Sequence, residues 1–102
     1  MTYHIVETGG LESFSPDGVR PTPLLDTGEV RALLLNLAAG QAVAPCQMPS
    51  TVLYYVIEGQ GHLRVDREQA ELRSGSLAVV PAGAVRAISA ADPMRVLAVQ
   101  VL

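Results

Sequence analysis

Apolar residues along this chain gather in short runs closed by glycine, proline, aspartate or serine. The densest run is Val52-Leu53-Tyr54-Tyr55-Val56-Ile57, followed by Glu58-Gly59-Gln60-Gly61. Six consecutive apolar residues, rich in β-branched and aromatic types, are too few for a typical helix and suit a strand that enters a turn at the glycines. Alternation sends Val52, Tyr54 and Val56 to one face and Leu53, Tyr55 and Ile57 to the other. Neither set makes a natural water face, so both need cover.

Upstream, Thr2 to Val6 is β-prone and gives way to Gly9-Gly10, Ser15-Pro16-Asp17-Gly18 and Pro21-Thr22-Pro23, which predicts an edge strand followed by an irregular arm. Leu24-Leu25 is a short apolar patch before the turn residues Asp26-Thr27-Gly28. Val30 to Leu37 then carries leucines at 33, 34, 35 and 37. Its short length before Ala38-Ala39-Gly40 favours a strand, although Ala, Leu and Arg would tolerate a helix. Pro45 and Pro49 forbid a helix between Gln41 and Met48 and suit a short, irregular strand.

Downstream, Gly61 to Val65 alternates His62 and Arg64 against Leu63 and Val65, Asp66-Arg67-Glu68 turns, and Gln69 to Arg73 returns, giving a hairpin with one wet face. Leu77 to Val80, Val85 to Ser89 and Met94 to Leu102 are further strands, separated by Pro81-Ala82-Gly83 and Asp92-Pro93. Many short strands punctuated by Gly and Pro turns predict an all-β sandwich or barrel.

At 102 residues, the chain suits one compact domain. Residues 1–29 are expected to form the N-terminal strand and arm, and 30–102 the barrel. A net charge of -3, with every basic residue an arginine, argues against nucleic acid as a partner and excludes lysine Schiff-base chemistry. The lone cysteine, Cys46, rules out an internal disulfide. No basic start followed by an apolar run, and no apolar span long enough to cross a bilayer, is present. A cytoplasmic protein without membrane attachment is expected.

Two spaced motifs then come into view. Gly40, Cys46, Met48, Val52 and Gly59 fall at the spacings of Gly, His, His, Glu and Gly in the first motif of the cupin superfamily; Gly75, Pro81, Gly83, Arg86 and Ala90 fall at those of Gly, Pro, Gly, His and Asn in its second. The chain resembles that superfamily from roughly Val30 to Leu102, with all the structural Gly and Pro positions kept. The resemblance implies a single-domain double-stranded β-helix, or jelly-roll barrel, of the kind found in RmlC-like proteins, with a pocket between two sheets.

The family's metal ligands are replaced, since Cys46, Met48, Val52 and Arg86 stand where three histidines and a glutamate would present nitrogen and oxygen donors. Valine ligates nothing and a guanidinium repels a cation. No metal, no cofactor and no metal-dependent dioxygenase or isomerase activity are therefore expected. A soft Cys46/Met48 pair could hold Cu(I), but two ligands are few and Arg86 opposes it.

The candidate ligand-binding residues are Cys46, Met48, Val52, Tyr54 and Arg86. Cys46 is expected as a small buried hydrophobe, the alternative being a pocket thiol activated by Arg86. Met48 is expected to fill core and Tyr54 to pack, with a phenol facing the pocket. Arg86, pointing into an apolar interior, must pair with a carboxylate such as Glu58, reach water, or serve a ligand anion. His4 and His62 lie outside both motifs, and His62 is expected to be solvated. These residues predict a binding protein for a small organic molecule or anion. The rivals are a metal-independent isomerase or epimerase using Cys46 or Tyr54, and a degenerate barrel serving as an interaction subunit. Leu53, Tyr55 and Ile57 predict a homodimer, because a monomer would expose them.

Overall fold

The computed structural model describes residues 3–11 and 13–102, and among these it contains nine strands and no helix. They are β1 (Arg20–Asp26), β2 (Val30–Leu37), β3 (Ala42–Gln47), β4 (Thr51–Glu58), β5 (Gln60–Val65), β6 (Glu68–Arg73), β7 (Leu77–Val80), β8 (Val85–Ala90) and β9 (Met94–Val101). One sheet has the order β1-β2-β9-β4-β7 and the other β3-β8-β5-β6, all pairs antiparallel. Apart from the β1–β2 and β5–β6 hairpins, each strand lies in the opposite sheet from its predecessor, so the chain winds around a shared interior as a jelly roll. With no helix, no segment of the described residues is a helix long and apolar enough to cross a membrane.

The strands from β2 to β9 lie where the hydrophobic pattern puts them. On β4, Val52, Tyr54 and Val56 are buried toward the interior, where they meet Leu35 and Leu37 of β2, Leu63 of β5, Ile88 of β8 and Met94 and Val96 of β9. The β5–β6 hairpin turns through Asp66, which adopts a positive φ of 52° and accepts a hydrogen bond on its carboxylate from the Val85 N–H at 3.0 Å. Between Val56 and Glu58 the β4–β9 register shifts. This bulge lets the chain leave for the second sheet at Gly59, whose φ of 97° and whose Cβ position, 2.3 Å from the Pro93 carbonyl oxygen, admit no side chain.

The N-terminal region departs from expectation. Tyr3 to Val6 form no strand, while Thr2 lies outside the described residues. The edge strand is instead β1, in the stretch expected to be irregular. Pro21 and Pro23 are two residues apart, and alternate residues of a strand direct their N–H groups to the same edge. Both missing donors therefore fall on one edge, which is tolerable only where that edge is unpaired, as β1's is. The segment before β1 crosses the outer face of the five-stranded sheet. Its main-chain carbonyls accept hydrogen bonds from barrel side chains: Thr8 from Arg95 Nη2 at 2.7 Å, Leu11 from Asn36 Nδ2 at 3.0 Å, and Ser15 from Gln41 Nε2. Leu34, on that outer face of β2, is fully buried although it stands apart from the main core.

Candidate functional site

Arg86 on β8 is the anchor of the site. It is 1 % exposed, and its cross-strand neighbour on β3 is Cys46, which shares its face of the sheet. Its Nε and Nη2 each donate to the Ala84 carbonyl at 3.1 Å, Nη2 also donates to the Pro81 carbonyl at 3.3 Å, and Nη1 donates to the Tyr54 hydroxyl at 3.4 Å. The break at Pro81-Ala82-Gly83 causes this: a turn leaves carbonyls without ladder partners, and the first inward side chain of β8 is long enough to collect them. All four hydrogen bonds go to neutral oxygens, those of Ala84, Pro81 and Tyr54. One Nη1 N–H remains without an acceptor, and no carboxylate lies within ion-pair distance, among the described residues.

Glu58, the expected carboxylate partner, does not reach Arg86. The bulge in β4 turns it to the outer face, where it sits 3.8 Å from Arg95 Nε.

Tyr54 on β4 is buried and packs in the core, as expected for it as a packing residue. Burial holds its phenol above the ordinary pKa of 10.0; the hydrogen bond and the charge of Arg86 pull the other way, and negative charge on Cys46 would add to the rise. Tyr54 is therefore a neutral phenol at physiological pH. Its oxygen accepts from Arg86, and its own proton meets no acceptor among the described residues.

Cys46 is exposed, against the expectation of a buried hydrophobe. The cause is its strand. β3 is an edge strand of its sheet, carries Pro45, and loses register with β8 between Val43 and Cys46, so no described strand flanks its free side. Met48 is half-buried against the core and Val52 is fully inside it. Cys46, Tyr54 and Arg86 thus come together where β3, β4 and β8 meet, with Met48 and Val52 adjoining through the core. His62 lies half-buried on the outer face of β5 and His4 is exposed on the arm, so neither joins them.

These donors do not fit the divalent cation of the family pattern. Val52 is an apolar core residue, Arg86 places a cation at the centre, and no group of three or more His, Cys, Asp or Glu side chains able to hold a metal ion is found among the described residues. What the arrangement offers is a polarised hydrogen-bond donor. The guanidinium draws electron density from the Tyr54 oxygen and makes its O–H a stronger hydrogen-bond donor.

The pattern missed two things. The carbonyls of Pro81 and Ala84 carry no residue-type signal, because their direction depends on the turn. Arg95, buried on the outer face, gave no sign in sequence of holding the arm at Thr8, since Thr8 meets it through a main-chain oxygen.

A family model for the cupin domain matches residues 33–100. Among solved structures, TT1209 of Thermus thermophilus is 29% identical with a TM-score of 0.88, over 95% of both chains. An uncharacterized conserved protein with a double-stranded β-helix domain from Klebsiella pneumoniae has a TM-score of 0.89 at 17% identity, covering 98% of this chain and 90% of that one. Salicylate 1,2-dioxygenase of Pseudoaminobacter salicylatoxidans, in adduct with gentisate, matches at 22% identity and a TM-score of 0.76, over 84% of this chain and 25% of the dioxygenase. No curated protein matches the sequence. With the jelly-roll topology and the retained turn glycines, these matches place the chain in the cupin domain family.

Proposed function

We propose that this cupin is a metal-independent binding protein for a small organic anion, which docks at the rim formed by Cys46, Met48 and Tyr54. The observation that carries the reading is the chemistry of Arg86: among the described residues, a buried guanidinium answered only by neutral oxygens, beside a phenol whose proton has no acceptor. A lone buried cation is unfavourable, and an anion accepting from Tyr54 O–H relieves it through a two-step chain, Arg86 to Tyr54 to ligand. Val52, behind Tyr54, supplies apolar wall. The ligand is small, because the barrel interior is a packed core that includes Val52, Val80 and Ile88. A carboxylate or phosphate group satisfies the donor; the free thiol of Cys46 suits a reducing cytoplasm.

The test is a thermal-shift screen of small carboxylates and phosphates against wild type, Tyr54→Phe and Arg86→Met. An anion that raises the wild-type melting temperature and loses its effect in both variants supports the reading. No stabilising anion, or an equal response in all three proteins, overturns it.

A further inference from the structure

Ser15, Asn36, Arg86, Arg95 and Gln100 are the buried polar or charged side chains among the described residues, and all but Gln100 make side-chain hydrogen bonds. The Gln100 amide makes none among the described residues. Gln100 stands on β9, with Val52 of β4 as its cross-strand neighbour on one side and Arg31 of β2 on the other, and it continues the inward set Met94, Val96 and Ala98. Its side chain therefore belongs to the interior face of the sheet, one row from Tyr54, which pairs with Ala98. Arg31 does not answer it, because Asp26 takes that guanidinium at 3.0 Å. Val52 has no polar side-chain atom to offer.

A primary amide carries an acceptor oxygen and two donor hydrogens, and leaving all of them unanswered at 9% exposure is costly. The local main chain does not call for it, since β9 runs through this position in register with both neighbours. Methionine or leucine would fill similar space without that cost.

We infer that Gln100 is a second polar contact of the ligand pocket and selects a small carboxylate that bears a hydroxyl group, an assignment that rests on the anion reading of Arg86 and Tyr54. Diagonal neighbours on adjacent antiparallel strands are rooted about 7–8 Å apart, within reach of aromatic and long side chains. Tyr54 and Gln100 are related in this way. One short molecule can then accept from the Tyr54 O–H with its carboxylate and meet Gln100 with its far end. A hydroxyl suits that end, because it can accept from the amide N–H and donate to the amide C=O. A second carboxylate has no proton to donate and sets its charge against the amide oxygen. An alkyl end leaves the amide unanswered. Val52, beside Gln100 and on the same face as Tyr54, supplies apolar contact for the carbons between.

Calorimetric titration of the full chain with propanoate, butanoate and their terminally hydroxylated counterparts tests this in wild type and Gln100→Met. In wild type the hydroxylated acids are expected to bind about tenfold more tightly than the unsubstituted ones, the worth of an ordinary hydrogen bond, and in Gln100→Met that ratio falls to about one. Without ligand, Gln100→Met is expected to melt at or above the wild-type temperature, because it keeps the volume and leaves no amide unanswered. A variant that melts well below wild type has lost a structural partner and overturns the inference. A wild type that binds both kinds of acid equally does so too, as does a preference that survives in Gln100→Met. Those results leave the anion end at Tyr54 and Arg86 standing. Binding of none of these acids removes the hydroxycarboxylate assignment, and a thermal-shift screen without any stabilising anion removes the anion end with it.

Discussion

The guanidinium of Arg86, rooted in one sheet, donates to the phenol of Tyr54, rooted in the other, across 3.4 Å. This polar contact spans a core in which the neighbouring buried side chains are Leu, Ile, Val, Met and Ala. Its worth to the fold is separable from its worth to a ligand, because the charge has no ionic partner among the described residues.

Arg86→Met keeps most of the volume and removes the charge. The gain from losing an uncompensated cation offsets the bonds lost at Ala84, Pro81 and Tyr54, so urea denaturation is expected to find its stability within about 1.5 kcal/mol of wild type. Arg86→Glu turns a carboxylate onto three carbonyl contacts and costs about 3–5 kcal/mol, on the scale of an uncompensated buried charge. Equal destabilisation by both variants contradicts the account of a guanidinium held by carbonyl dipoles.

The raised pKa of Tyr54 makes stability depend on pH in one direction. A folded value above the unfolded one means that the native state holds its proton longer, so the contribution is full below the ordinary value of 10.0 and is lost as pH rises through the folded pKa. Ultraviolet titration is expected to show a tyrosine ionisation above the ordinary value, and Tyr54→Phe to remove that late step. A late step that persists in Tyr54→Phe belongs to another residue.

Gly59 and Gly83 both have positive φ, 97° and 87°, but only Gly59 is enclosed. Gly83→Ala meets nothing within 4 Å and bears the left-handed penalty of about 1–2 kcal/mol. Gly59→Ala adds overlap with the main chain of Pro93 and Met94 and is expected to cost about 3 kcal/mol or more. Thermal or urea unfolding of the two variants compares them directly. Similar losses would mean that the approach of β4 to the Pro93 turn is looser than described.

Elemental analysis of the purified protein is expected to find no stoichiometric Fe, Mn, Ni or Zn, because Val52 and Arg86 occupy two of the four ligand positions. A tightly held ion lost on Cys46→Ser would show that Cys46 and Met48 suffice for a soft metal.

The strands from β2 onward were legible because each has one face in a single core, and a one-sided core imposes period-two alternation that turns punctuate. Gly40, Gly59, Gly75 and Gly83 were legible for a second reason, since each has a positive φ that other residues rarely adopt. β1 was not, because an edge strand has half its hydrogen bonds unused, and Pro21 and Pro23 look like breakers until the sheet order shows which edge they face. Leu34 gave a related ambiguity: it lies on the solvent side of β2, yet a segment more than twenty residues upstream buries it.

At the site, the motif positions of the family resemblance named Cys46 and Arg86, and the strands bring them close to Tyr54. What they do to one another was not legible. The partner of Arg86 is decided by where two carbonyls point after Pro81, and the exposure of Cys46 by the absence of a strand beyond β3. Both are properties of the assembled main chain.

The two prolines of β1 also govern what the molecule avoids. A free sheet edge with a full set of N–H and C=O groups templates the addition of further chains, the first step toward filaments. Pro21 and Pro23 strip donors from the free edge of β1, and the opposite border of that sheet, β7, spans only Leu77–Val80. Growth by strand addition is thereby blocked at one border and curtailed at the other. A chain this rich in Val and Leu runs little risk of stacking into fibrils through that sheet.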